Sequence, residues 1–247
     1  VSLVLFPFIG PIVRICKMLV PGADERLASV TQFLDENMLR VPSIALAQAA
    51  KELVRTGNLA SEMLTWSRAA LLHTDEGASQ RVLACEDKQI DPLCAAIERF
   101  VDHLLRGHLN ESERRRCFQL KHLITDIERV ADLTENLAQA GQERTREHIP
   151  FSPEAQDELL KFHTLVCEVW ALAVRALASG DKAIARAVVE GEDEIDLMET
   201  PLRESHRQRV ECGVCAPKAD ILFIETLRNL ERIGDHADNL GVSVLRN

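Results

Sequence analysis

The chain has no tyrosine, and aromatic residues make up only 4% of its 247 residues. Its interior must therefore be filled by aliphatic and small side chains. No stretch shows the strict apolar–polar alternation of a half-buried strand, which argues against a sandwich or barrel. Positive charge is also scarce: 29 Lys and Arg stand against 39 Asp and Glu, a net charge of −10. A nucleic-acid binder must neutralise phosphates, so that class is excluded as a partner. The main basic cluster, Arg114-Arg115-Arg116, reads as a solvated helix face. No histidine has a glutamate three residues before it. A carboxylate-bridged dimetal oxidase built in a helical bundle uses that pair, so this enzyme class is disfavoured too. There is no glycine-rich phosphate loop. The seven cysteines are odd in number and sit mostly in apolar stretches, which suits buried thiols in a reducing compartment. Cys212-Gly213-Val214-Cys215 has the spacing of a zinc half-site, but no second pair matches it.

What the chain does have is helical periodicity almost throughout, with apolar residues recurring at threes and fours. The first long helix is expected from Pro42, a residue suited to a first turn, to about His73. The second runs from about Gly77 to Arg106, with a kink at Pro92. Asn110 and Glu113 form a capping-box pattern that opens a third helix, which reaches about Gln139 and is ended by Gly141. A polar linker over residues 143–151 follows. Ser152-Pro153-Glu154 starts a fourth helix ending near Ala178. The fifth spans Asp181 to Glu211, with Pro201 a further kink, and the sixth runs from Pro217 to the C-terminus. Short loops between long amphipathic helices imply antiparallel neighbours. The expected fold is all-α: two tandem three-helix bundles, residues 42–142 and 152–247, related by a pseudo-two-fold axis.

The opening segment stands apart. Residues 1–23 begin with an apolar run, Val1 to Val13, and the basic residues Arg14, Lys17 and Arg26 come after it. Thirteen apolar residues are too few to span a bilayer, which needs about 20. The charge order fits the end of a transmembrane helix leaving on the cytoplasmic side. Residues 24–41 then serve as a connector, and the bundles sit at the cytoplasmic face of the inner membrane. The competing interpretation is a hydrophobic N-terminal helix packed on the bundle.

Two acidic phrases occur twice. Ile127-Glu128-Arg129-Val130-Ala131-Asp132 is echoed by Leu230-Glu231-Arg232-Ile233-Gly234-Asp235, 103 residues on. Glu86-Asp87-Lys88-Gln89-Ile90-Asp91 is echoed by Gly191-Glu192-Asp193-Glu194-Ile195-Asp196, with 105 residues between the two final aspartates. Two phrases in one order at nearly one offset mark a duplicated unit of about a hundred residues. Helical residues four apart share a face about 6 Å apart along the axis. Asp87 with Asp91, Glu128 with Asp132, Glu192 with Asp196 and Glu231 with Asp235 are thus four same-face pairs. Like charges at this spacing repel. Arg129 and Arg232 lie about 100° around the helix from the neighbouring glutamates and do not neutralise them on the same face. Oxygen-rich sets on two adjacent helices suit hard or borderline cations. Asn136 and Asn239, one turn beyond each Asp, could add amide oxygens, and Glu225 is a lesser candidate. His236 faces away from its neighbour Asp235. The bland alternative is four solvated acidic faces on a helical scaffold, and the repetition of the pairs weighs against it.

Glu231-Arg232-Ile233-Gly234-Asp235-His236-Ala237-Asp238-Asn239-Leu240 resembles the signature helix of the PhoU family, and the acid-xxx-Asp pairs resemble its metal-binding motif. The first copy departs from that motif at Ala131 and Leu133. The resemblance covers about residues 42–247. It implies two three-helix repeats carrying clusters of divalent or trivalent metal, such as iron, zinc, manganese or magnesium, on Asp87, Asp91, Glu128, Asp132, Glu192, Asp196, Glu231 and Asp235. The apolar segment around Leu5 to Pro11 is similar to the end of the membrane region of bacterial Na⁺/phosphate cotransporter-like proteins. The resemblance therefore implies a non-catalytic regulatory domain whose partner is the transporter portion of its own polypeptide or a separate phosphate transporter. A free-standing adaptor between a phosphate ABC transporter and a sensor kinase is the alternative, and a second copy of the chain is a further candidate partner.

Overall fold

The computed structural model describes residues 30–246. The expected membrane-derived segment at residues 1–23 lies outside the described residues. Helix α1 (Pro42–His73) opens on its proline and closes on Thr74, whose φ of 52° stops the helix in the left-handed region. Helix α2 (Glu76–Cys85) is capped by Asp75, whose carboxylate accepts from the Ala78 N–H at 3.0 Å. A π turn, Glu86–Ile90, then leads directly into α3 (Asp91–Leu105). Helix α4 (Glu111–Glu147) starts with the full reciprocal capping box of Asn110 and Glu113. Helices α5 (Pro153–Ser179), α6 (Lys182–Glu211) and α7 (Pro217–Leu245) complete the chain.

Because α2, the π turn and α3 run on without a break, the helices form six rods in two groups of three. Within the first group α1 packs on α4 and on the α2–α3 rod; within the second, α5, α6 and α7 pack on one another. The groups meet where α4 lies against α7 and α1 against α5. One continuous aliphatic core runs through both, centred on residues such as Leu53, Met63, Ile127, Phe162, Trp170 and Leu230. Trp170 marks the joint: its indole N–H donates to the Gly57 carbonyl at 3.3 Å, across from α5 to α1. Helix α5 is the one helix among the described residues long and apolar enough to cross a membrane, and here it is packed into the bundle with Phe162 and Trp170 fully buried.

One helix boundary differs from the sequence expectation, and two prolines behave in different ways. Gly141 does not end α4, which continues to Glu147, and the interrepeat linker shrinks to residues 148–152. Gly141 is instead a contact point: a Cβ there would lie 2.2 Å from the Ala70 carbonyl oxygen of α1. Pro201 lies inside α6, which continues through it to Glu211. The kink expected at Pro92 takes the form of the π turn just ahead of it, where the Asp91 N–H reaches back five residues to the Glu86 carbonyl. Proline has no N–H to continue the ladder, so a wider turn upstream costs the helix little.

Two polar clusters fasten α1, one about a third of the way along it and one at its C-terminal end. Glu52 is fully buried and accepts from the backbone N–H groups of Gln32 (2.9 Å) and Phe33 (2.7 Å), while Arg55 donates to Glu52 and to the Val30 carbonyl. At the C-terminal end the buried Arg144 donates to the Leu71 carbonyl in the last turn of α1 and lies 4.0 Å over the Phe151 ring. The close approach at Gly141 is directly testable. Alanine in place of an ordinary helical glycine stabilises. Gly141→Ala should instead destabilise, by about 1–3 kcal/mol, because backbone rather than a flexible side chain must move; urea unfolding of the variant reads the sign.

Candidate metal centre

Each repeat brings its acids together along the seam between its second and third rods. In the second repeat Glu192 and Asp196 on α6 face Glu231 and Asp235 on α7. The sequence between them explains the closeness. Gly234 sits between the two α7 acids, and a Cβ there would lie 3.0 Å from Ile195, which sits between the two α6 acids. Glycine lets the helices close and so narrows the gap across which the carboxylates repel. Burial, then the charges of Asp196, Asp238, Asp235 and Asp193, push Glu192 up to about 7. Glu231 is raised by burial, then by Asp235, Glu199 and Asp196, with Arg203 opposing. Asp235 is raised by burial and then by Asp196. Asp238 joins the row: it is raised by burial and by Asp193 and Asp235, and its Oδ1 is buried with no hydrogen-bond partner.

The first repeat repeats the arrangement with one substitution of register. Asp91 on α3 and Glu128 and Asp132 on α4 lie in the row, whereas Asp87 is exposed and is not among the charges acting on Glu86 or Glu128. Glu86 takes its place. The cause is the π turn: its extra residue puts Glu86, five positions before Asp91, on the face that the expected four-residue spacing assigned to Asp87. Burial, then a side-chain hydrogen bond with Asp91 and the charges of Asp91, Glu135 and Asp132, push Glu86 up to about 8. Burial, then Asp132 and Asp91, also raise Glu128. Arg129 pairs with Asp132 at 3.1 Å, on the exposed side of α4.

Other sequence candidates fall elsewhere. Asn136 and Glu225 are exposed. The His236 Nδ1–H donates at 2.9 Å to Asp126, and the Asn239 amide donates to the same carboxylate oxygen at 2.9 Å, so both residues tie α7 to α4 across the two repeats. Glu86, Glu199 and Asp238 were not among the expected site residues. Asp238 carried a signal, since the acid three residues after each motif Asp recurs as Glu135. In the first repeat Cys94 occupies the position that Glu199 holds in the second. It is buried, with its thiol raised by desolvation and by Glu128 and Asp91.

Among the described residues no three His, Cys, Asp or Glu side chains converge as a preformed metal cage. The rows nonetheless fit a cation in chemistry: all-oxygen donors from two helices, raised by burial and then by one another's charge, with an unpartnered carboxylate oxygen on Asp238.

The duplicated acid rows, and the helical repeats that carry them, define a family. The PhoU domain matches residues 53–141 and again 159–244, and the chain belongs to that family. It is 23% identical over 248 residues to the "Putative inorganic phosphate export protein YjbB" of Escherichia coli K12, an alignment taking in 98% of this chain and 45% of that protein. The chain thus spans about half the length of such relatives. It is 30% identical to the phosphate-specific transport system accessory protein PhoU homolog 1 of Thermotoga maritima, over 76% of this chain and 80% of that one. In fold it is similar to the crystal structure of PhoU from Pseudomonas aeruginosa, with a TM-score of 0.77 at 23% identity, covering 82% of this chain and 96% of the other.

The raised carboxylates give a pH dependence whose sign is fixed. In the folded, metal-free chain Glu86 and Glu192 keep protons that the unfolded chain, at the ordinary value of 4.5, releases. The folded state therefore binds more protons between about pH 4.5 and 8, and stability falls as pH rises through that window. Melting temperatures of chelator-treated protein from pH 5 to 8.5 should decline, and the decline should flatten in Glu86→Gln/Glu192→Gln.

Proposed function

We propose that this chain is a non-catalytic regulatory domain that binds metal ions on its two acid rows and couples phosphate status to a phosphate-transporting membrane partner. The observation that carries the metal reading is the pairing of raised carboxylates across the second and third rods of both repeats. Glu86, Asp91, Glu128 and Asp132 would hold the ions of the first repeat, and Glu192, Asp196, Glu231, Asp235 and Asp238 those of the second. A bound cation supplies the positive charge that lets all these groups ionise together. The chain's own part is to present oxygens from two helices at once, so that occupancy governs how firmly the second and third rods of each repeat are joined. All-oxygen donors suit magnesium, calcium, manganese or iron; zinc enters only through the family resemblance.

The transport connection rests on relatives. Proteins named as phosphate transport accessory proteins align over 76–81% of the chain, whereas the phosphate export relative aligns over 98% of it. The added coverage takes in the apolar N-terminal stretch. This favours a domain carried at the cytoplasmic side of a transporter on the same polypeptide over a free-standing adaptor.

Metal content by ICP-MS, on protein purified without chelator or metal-affinity resin, tests the reading. Stoichiometric metal is expected, with loss in Asp196→Ala/Asp235→Ala for the second row and in Asp91→Ala/Asp132→Ala for the first. The register shift adds a sharper comparison: Glu86→Ala should lower first-row occupancy and Asp87→Ala should not. Metal-free protein after reconstitution with Fe²⁺, Mn²⁺, Zn²⁺ and Mg²⁺ would sink the proposal.

A further inference from the structure

The joint between α4 and α7 opens, toward the N-terminal end of α4 and the C-terminal end of α7, into a groove of about 910 Å³. Arg115, Arg116 and His122 line it from α4, and Arg246 from α7, with Ser112 beside the arginines. Three guanidinium groups in one groove are notable on a chain of net charge −10. The acids of the groove are Asp126 and Asp238. Asp126 is engaged by His236 and Asn239, and Asp238 also belongs to the second acid row. Asp126 lies away from the arginine pair of α4, ten residues from Arg116 on one helix, about 15 Å, whereas Asp238 is within reach of Arg246, whose charge opposes the rise of its carboxyl. Glu111 pairs with Arg115 in the open, at 3.2 Å, a contact that competes weakly with a ligand.

Arg116 is held in place. Its Nη1 donates to the Gln119 side-chain oxygen at 2.7 Å, and the Gln119 amide in turn donates across the joint to the Ser243 carbonyl (3.1 Å) and hydroxyl (2.6 Å). This fixes one guanidinium nitrogen and leaves other N–H donors of a planar fork suited to phosphoryl oxygens.

The duplication supplies an internal comparison. At the 103-residue offset, Arg116, Gln119 and His122 correspond to Ala219, Leu222 and Glu225, and Arg246 corresponds to Glu143. The other copy of this joint is built without the arginines; Lys218, the counterpart of Arg115, is paired there with Glu147. Helix packing therefore does not require a cationic groove, and the two ends of the joint differ in chemistry while sharing a backbone plan. Volume sets the ligand class. A groove this size suits a ligand larger than a single orthophosphate, and three arginines suit several phosphoryl groups.

We propose that this groove binds a small polyphosphorylated anion, with Arg115, Arg116 and Arg246 taking its phosphoryl groups. The groove borders the second acid row at Asp238, but its phosphoryl contacts are the arginines and not the carboxylates that would hold metal. Phosphoryl groups could come from inorganic polyphosphate, a nucleoside triphosphate or a phospholipid headgroup. Calorimetric titration of the chelator-treated full chain with inorganic tripolyphosphate, with ATP, with orthophosphate and with sulfate addresses this, alongside sedimentation with phosphatidylglycerol vesicles. Tripolyphosphate or ATP should bind more tightly than orthophosphate or sulfate. Arg116→Ala/Arg246→Ala should weaken that binding by at least about tenfold, with lysine at both positions restoring part of it. Asp196→Ala/Asp235→Ala should leave it unchanged, which separates this outcome from the fate of the metal proposal. Arg175→Ala/Arg186→Ala removes two exposed charges elsewhere and should also leave it unchanged. The proposal is overturned if neither free polyphosphate binds, if only vesicles do, or if the control pair weakens binding as much as the groove pair in folded protein.

Discussion

Carboxylates facing one another across a helix seam repel, and the architecture is arranged to hold them there. Four acids in the first repeat and five in the second sit where two rods meet, where burial and then each neighbouring charge raise the cost of the next. What keeps the seam closed lies just beneath it: Ile195 against Gly234 in the second repeat, and the aliphatic stripe Ile127, Val130 and Ala131 beneath Glu128 and Asp132 in the first. The same helices then pass their inner faces to the other repeat through the α4–α7 contact. An aliphatic core with few aromatics suits this task, because small side chains let rods approach closely along their whole length.

The two repeats are not equivalent, and the differences fall at the acid rows. A π turn gives the first row an extra residue and a side-chain hydrogen bond between Glu86 and Asp91. The second row has a regular helix, a third carboxylate, Glu199, in place of Cys94, and an arginine, Arg203, paired with it. The duplication preserved the faces while the chemistry of each face diverged.

Much of this was legible in the chain. Proline and small polar residues marked helix starts, because Pro42, Pro153 and Pro217 sit in first turns where a missing N–H costs nothing. Seven of the eight expected acids lie in the rows. The eighth, Asp87, shows what periodicity misses: a one-residue widening of a helix leaves no mark in composition, and Glu86 and Asp87 are adjacent acids that the pattern alone does not rank. Gly141 was misread for a related reason. Glycine ends helices and also lets them touch, and only the position of Ala70, 71 residues earlier in the chain, decides between the two. Glu52 was invisible because a charged residue in an apolar stripe reads as surface until its partners, the backbone N–H groups of Gln32 and Phe33, are located.

Those partners bear on mechanics. The chain entering at Val30 is fastened by Glu52 and Arg55 well inside α1, ten or more residues beyond the helix start, and then runs back alongside to Pro42. A pull from the N-terminal side thus loads several hydrogen bonds together, in shear, before it can peel the first turn. Bonds loaded in parallel yield together or not at all, so this junction acts as a stiff lever arm in place of a slack tether. A tilt of the first rod therefore carries the backbone at Val30 to Phe33 with it.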